Sequence, residues 1–407
     1  MSRHSLVDHA LSRYRLAGAN LIADRDPFFL PVDSFRSSKQ REGQSVISFA
    51  HYDYLGLSAH PDVVTNAHKM LDRLGPSVSA SRMVGGERML HGELEDEIAS
   101  FIGTEAALTL VSGYLTNVTL LGHLMSSSDL ILYDELCHNS IVVGTRAARC
   151  DSRSFSHNDL FDLRQKLSAM RGRYKRCLIV VEGLYSMDGD VADLPELIRL
   201  KNEYDCWLMV DEAHSVGTLG NTGRGLCEYF NVDVTSVDLI VGTLSKAFVS
   251  SGGFIAGNAA VIRWLRYTLP GFVFSVGLAP SVAASALSAL RVLRWEPMLT
   301  DVLKRKSLHF LNEATRLGLD TGPAIGVGVV PVLLRSEQAV LEASERLKQD
   351  GFYVPPIVRI GVPKEKPRLR FFISASHDDC DISRALELLR HGAMVGYDDE
   401  VVRSEPV

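Results

Sequence analysis

The sequence predicts an α/β protein with a mostly parallel central sheet and helices on both faces. An N-terminal arm precedes the sheet and a smaller α+β unit follows it. Three observations carry this reading. First, beyond residue 103, short and largely apolar runs alternate with helical segments, at 106–111, 129–133, 177–181, 206–210 and 239–241. Strands buried on both faces read as such runs, and helical crossovers between them imply parallel pairing. Second, several runs end in polar clusters: Ser112-Gly113-Tyr114, Asp134-Glu135, Glu182-Gly183, Asp211 to His214, and Thr243 to Lys246. Third, the last hundred residues change to a strand–helix–strand–helix pattern.

Taken in order, residues 1–55 form the arm. Residues 6–20 have helical amphipathicity, and the breakers Asp26, Pro27 and Pro31 follow. A short strand is expected over 46–50. A helix starts near Pro61, because proline suits a first helical turn. A large domain spans 56–295. In it Leu90, Leu94, Ile98 and Phe101 recur at helical spacing, and Gly103 stops that helix. The small domain, 296–407, has strands at 329–334 and 369–374. Its helices lie at 337–349, closed by Asp350-Gly351, and at 381–391.

Composition excludes several classes. Hydrophobic residues are 46% and charged residues 23%, as in ordinary globular proteins, so the chain is neither disordered nor low in complexity. The formal charge of −6 comes without a basic block, which argues against nucleic-acid binding. No apolar run approaches the roughly 20 residues of a membrane span. The first ten residues lack a signal-peptide core. The six cysteines form no CxxC pair, and Cys177 and Cys206 sit in apolar runs. Buried reduced thiols in a cytoplasmic protein are expected, and no metal site.

In an open α/β sheet, ligands bind beyond the carboxyl ends of the strands, so the polar clusters are expected on one rim. There Lys246 follows a buried strand. Burial lowers an amine's pKa, which is what an imine-forming lysine requires. Asp211 ends the neighbouring run and is placed to pair with a protonated ring nitrogen, with His214 three residues on. Asp211 to His214 also spells a helicase metal motif. That reading needs a P-loop, and the chain contains no Gly-Lys dipeptide. Ser112-Gly113-Tyr114 opens a helix whose free N–H groups suit a phosphate. His138 is placed to stack on an aromatic ring, and Ser186 supplies a hydroxyl.

With these residues in hand, the chain resembles the α-oxoamine synthase family of fold-type I pyridoxal phosphate enzymes, from about Phe49 to His377. The segments that carry the likeness include Asp53 to Leu57, Ser81-Arg82, Ser112 to Tyr114, His138 to Ile141, Glu182 to Met187, Asp211 to Gly217, Gly242 to Lys246, and Arg368 to Arg370. The resemblance implies pyridoxal 5'-phosphate as cofactor, held by Lys246 as a Schiff base. Lys246 would then act as the base on the substrate α-carbon. It implies Asp211 at the pyridine nitrogen, His138 stacked on the ring, and Ser186 with His214 at the ring oxygen. Ser112, Gly113, Tyr114, Thr243 and Ser245 would form the phosphate site, joined by Ser275 from a partner subunit of a homodimer. Tyr52 and Arg370 would bind substrate, the arginine taking the amino-acid carboxylate.

The implied reaction is a decarboxylative condensation of an amino acid with an acyl-CoA or acyl-carrier-protein thioester. Tyr52, the Ser112 to Tyr114 segment and the Glu182 to Met187 segment are similar to the bacterial serine palmitoyltransferase branch. That suggests serine, or another small amino acid, and a fatty acyl donor. Alternatives are the glycine C-acetyltransferase, aminolevulinate synthase and amino-oxononanoate synthase branches, or an aminotransferase on the same fold. The sequence departs from the family pattern in Ser77 and Ala80, in Val249 where glycine is usual, and in Val276-Gly277 after Ser275.

Overall fold

The apolar runs fold as strands, and the cause is visible in their burial. The computed structural model describes residues 5–16, 27–28, 46–358 and 366–401. The chain divides into two units. The larger comprises Tyr52–Ser186 and Asp190–Lys304; the smaller comprises Met187–Gly189 with the described residues up to His51 and from Arg305 onward.

Seven strands form the sheet of the larger unit: β1 (Ala106–Leu110), β2 (Leu130–Asp134), β3 (Asp151–Phe155), β4 (Cys177–Glu182), β5 (Trp207–Asp211), β6 (Leu239–Thr243) and β7 (Gly253–Gly257). Their order is β1-β7-β6-β5-β4-β2-β3. From β6 to β3 all neighbours pair in parallel. Strand β7 runs antiparallel to both β1 and β6. Every residue of β4, β6 and β7 is buried, as expected of a sheet covered on both faces. Two strands were not expected from the sequence. β3, at the sheet edge, reads Asp-Ser-Arg-Ser-Phe and buries only Phe155, so it has no apolar signature. β7 begins on Gly253, the second residue of a glycine pair, and glycine carries no strand signal.

Around this sheet the helices begin and end where local chemistry dictates. Pro61–Leu74 and Pro280–Trp295 both start on proline, whose missing N–H costs nothing in a first turn. Met89–Ile102 ends at Gly103, which takes φ 94°. Arg82 is buried in this unit. It donates from Nε and Nη2 to Glu87 at 2.6 and 2.7 Å, and from Nη2 to Glu95 at 3.0 Å. Burial works against its charge, and the two carboxylates more than offset that, raising its pKa.

The smaller unit has a three-stranded antiparallel sheet in the order Pro356–Ile357, Arg368–Phe372, Val329–Leu333. The expected strand at 46–50 is two residues long, Ile47–Ser48, and pairs in parallel with Phe352–Tyr353. Phe49 packs against Phe371 at 5.3 Å and against the His377 ring at 4.3 Å, between ring centroids. Burial pushes the His377 imidazole down to about 3. The final helix, Asp379–Val401, extends well past the expected 381–391. The first helix is Leu6–Leu16; residues 17–20, with Asp26 and Pro31, lie outside the described residues.

Candidate active site

Parallel strands bring their carboxyl ends to one edge of a sheet, and here that edge gathers residues far apart in the chain. β1 leads to Ser112, β4 ends at Glu182, β5 at Asp211 and β6 at Thr243, three residues before Lys246. Glu182 and Asp211 are direct neighbours in the β4–β5 register.

Ser112 caps the helix Gly113–Leu124, accepting from the Leu115 N–H. Gly113 has no room for a side chain: a Cβ there would stand 2.8 Å from Thr243 Oγ1. A Cβ on Gly253 would meet Gly113 Cα at 2.7 Å. The helix start is thus drawn against the β6 end, with Thr243 Oγ1 and Ser245 Oγ 2.7 Å apart beside it. N–H groups at a helix start together with two hydroxyls form a donor set suited to a phosphate.

Asp211 is buried and firmly held. Asn117 Nδ2 donates to Oδ2 at 2.7 Å, and the Ala213 N–H donates to Oδ1 at 2.9 Å. Asn117 also donates to Ser140 Oγ at 2.9 Å, linking this helix to the next. His138 caps the helix Asn139–Ala147, with its Nδ1 and Ser140 Oγ 2.7 Å apart. Its ring is edge-on to Tyr114, centroids 6.1 Å apart, and its backbone N–H donates to Glu182 Oε1. His214 is buried, and its Nδ1 shares a 2.6 Å hydrogen bond with the Tyr54 hydroxyl. Lys246 is half-buried, its Nζ 5.8 Å from the centroid of the Tyr52 ring. Ser186 is half-buried at the close of the segment after β4.

Burial, and then the nearby Asp211, push Glu182 up to about 8; the Lys246 charge opposes this. Burial likewise lifts Glu212 to about 7, against hydrogen bonds from Ser215 and the Leu226 N–H. Glu182, Asn117 and Tyr54 join the site without a role expected from the sequence. Each acts by holding another residue of the rim; in the sequence Tyr54 and Glu182 lie in segments that carry the family likeness, Glu182 stands at a strand end, and Asn117 stands one turn into the helix that Gly113 begins.

Ser275 lies between the exposed Phe274 and Val276, and Val276 bridges to Ser81. Arg370 belongs to the smaller unit. There its guanidinium lies 4.6 Å from the Phe372 ring centroid, and Nη1 is 3.3 Å from Met187 Sδ. Next to it Arg368 is fully buried, donating to Asp188 Oδ1 at 2.7 Å. Among the described residues no group of His, Cys, Asp and Glu side chains could hold a metal ion.

The residues present fit pyridoxal phosphate. A cradle closed to any Cβ suits the phosphate, a buried acid held by two donors suits the ring nitrogen, and an amine stands on the same rim. The fold and this rim define a class, the lysine-bearing fold-type I enzymes. The aminotransferase class I and II family matches residues 44–389. An 8-amino-7-oxononanoate synthase of Thermoanaerobacter pseudethanolicus is 35% identical, over 85% of this chain and 87% of its own length. A serine palmitoyltransferase of Sphingobacterium spiritivorum is 34% identical, over 88% and 90%. The solved serine palmitoyltransferase of Sphingomonas wittichii superposes with a TM-score of 0.90 at 28% identity, over 98% of this chain and all of that one. The chain therefore belongs to the aminotransferase class I and II family and, within it, to the α-oxoamine synthases.

Proposed function

We propose that this chain is a pyridoxal phosphate-dependent acyltransferase that condenses serine, or a similarly small amino acid, with a fatty acyl thioester. The amino acid's α-carbon bonds to the thioester carbonyl, the thiol departs, and the carboxylate leaves as carbon dioxide, giving an α-amino ketone. The observation that carries this is the gathering of Lys246, Asp211, His138, His214 and the Ser112-Gly113 helix start on one sheet rim.

Lys246 would hold the cofactor, Asp211 its ring nitrogen, His138 its ring face, and Ser186 with His214 its ring oxygen. Ser112, Gly113, Tyr114, Thr243 and Ser245 would hold its phosphate. When bound, the cofactor supplies an electron sink for charge left on the substrate α-carbon. The protein does the rest. Asn117 and the Ala213 N–H keep Asp211 fixed as an acceptor. Glu182, pushed up to about 8, takes a proton near neutral pH and so spares Asp211 a second buried charge beside it. Tyr54 fixes the His214 ring. Lys246 takes the α-proton, with the Tyr52 ring beside its amine. Arg370 binds the substrate carboxylate through its planar fork.

The working form is a homodimer. Five exposed apolar side chains lie on two segments that hydrogen-bond to each other: Met83, Val84 and Met89 on one, Phe274 and Val276 on the other. A second copy covering this face would receive Ser275. Among the described residues no helix is long and apolar enough to cross a membrane. All six cysteines are free, which accords with a cytoplasmic location.

Relatives named 8-amino-7-oxononanoate synthase are as similar in sequence as those named serine palmitoyltransferase, so the amino acid and the acyl chain are what must be measured. The test offers serine, glycine and alanine in turn, each with short and long acyl thioesters, and weighs the product. Serine with a long-chain thioester is expected to give carbon dioxide and the amino ketone. Preference for another pair moves the chain to another branch, and amino transfer without any thioester overturns the acyltransferase reading.

A further inference from the structure

At the opposite edge of the larger unit's sheet, where β5 and β6 begin and β7 ends, lies a cavity of about 470 Å³ that the chemistry above does not use. Its size is that of a small-molecule site. Five-residue strands separate it from the lysine rim by roughly 16 Å. Two of the chain's three tryptophans, Trp207 and Trp264, line it, with Arg176, Asp238, Glu105 and Asn258.

Its walls are set in place. Trp264 is stacked on His123 at 5.1 Å with 21° between planes, and His123 Nε2 is 2.9 Å from Thr268 Oγ1. Arg176 lies over the Trp207 ring at 5.7 Å, and its Nε donates to Asp129 at 3.0 Å. Glu105 accepts from Asn258 Nδ2 at 2.9 Å on both oxygens, and from the Ala259 N–H. Asp238 Oδ2 accepts from Lys201 Nζ at 2.6 Å and from the Leu208 N–H at 2.8 Å.

Among the charged side chains of the lining, the contacts above leave two groups over: the Nη groups of Arg176, which donate, and Asp238 Oδ1, which accepts. The charges nearly cancel. Arg176 is offset by Asp129, Asp238 by Lys201, and Glu105 adds one negative charge. A phosphate or carboxylate has no surplus cation to meet, while a flat ring with both a donor and an acceptor edge meets both Arg176 and Asp238. We propose that this cavity is a second binding site, for an uncharged planar heteroaromatic molecule of nucleoside size that stacks on tryptophan, accepts from Arg176 and donates to Asp238.

The test is calorimetric titration of the cofactor-loaded enzyme with adenosine, followed in parallel by tryptophan fluorescence. Saturable binding of one adenosine per chain is expected, with Kd below about 1 mM. Trp264→Leu and, separately, Asp238→Asn should each weaken it, the first by roughly tenfold or more, as loss of a stacking face does. Lys246→Ala should leave it unchanged, and adenosine monophosphate should bind more weakly than adenosine. Absence of saturable binding, or binding that survives both cavity substitutions, overturns the proposal; neither result bears on the condensation activity.

Discussion

Glu182 faces Asp211 across two central strands, with both carboxyls buried, and its replacement by glutamine gives a sharp test of how charge is arranged on the rim. In the folded protein Glu182 rises from 4.5 to about 8. Below pH 4.5 it is protonated in folded and unfolded chains alike, and its folded-state contribution is fully present. As pH climbs from 4.5 to 8 the unfolded chain sheds the proton and the folded one keeps it, so stability drains away at about 1.4 kcal/mol per pH unit. By pH 7 the loss amounts to about 3 kcal/mol. Glutamine is uncharged, of the same shape, and still accepts from the His138 N–H. Glu182→Gln should therefore match wild type near pH 4.5 and exceed it by about 3 kcal/mol at pH 7, with the gap still widening at pH 8. Urea denaturation of the cofactor-free proteins at pH 5, 6, 7 and 8 measures this. A gap that stays constant with pH, or a variant weaker than wild type throughout, refutes the reasoning.

Further expectations concern the same unit. His157 bridges Asp134 and Asp190 at 2.9 Å each; burial pulls its pKa down, but the two carboxylates prevail and lift it to about 10. Its contribution is complete below pH 6.5 and is lost as pH rises to 10, so His157→Gln should destabilise by a few kcal/mol at pH 6 and far less at pH 10, as read by urea midpoints. Val249 holds φ 43°, a left-handed conformation that costs a β-branched residue about 1–2 kcal/mol, so Val249→Gly should raise the thermal midpoint despite glycine's extra chain entropy; a lowered midpoint shows the strain is absent.

The central sheet was legible because its strands are buried on both faces, which leaves unbroken apolar runs such as Leu178 to Val181 alternating with helical segments. The edge strand β3 was not legible, since four of its five residues face solvent or are half-exposed and carry polar side chains. The rim residues whose chemistry is distinctive, Lys246, Asp211, His138 and His214, were visible from residue type and strand-end position. The roles of Asn117, Glu182 and Tyr54 were not, because each works through another residue: Asn117 holds Asp211, Glu182 holds the His138 backbone and Tyr54 holds His214. Such contacts join helices and strands dozens of residues apart and leave no local pattern. Val249 shows the reverse case, where the sequence flags a departure and the backbone shows its consequence, a positive φ three residues past the lysine.

The most direct measurement is chemical trapping. Borohydride reduction of the cofactor-loaded protein, digestion and peptide mass spectrometry should find the reduced cofactor's mass on the peptide containing Lys246 alone, and no trapped mass in Lys246→Ala. A label on any other lysine, or an undiminished label in the alanine variant, would contradict the assignment of this rim as the seat of the chemistry.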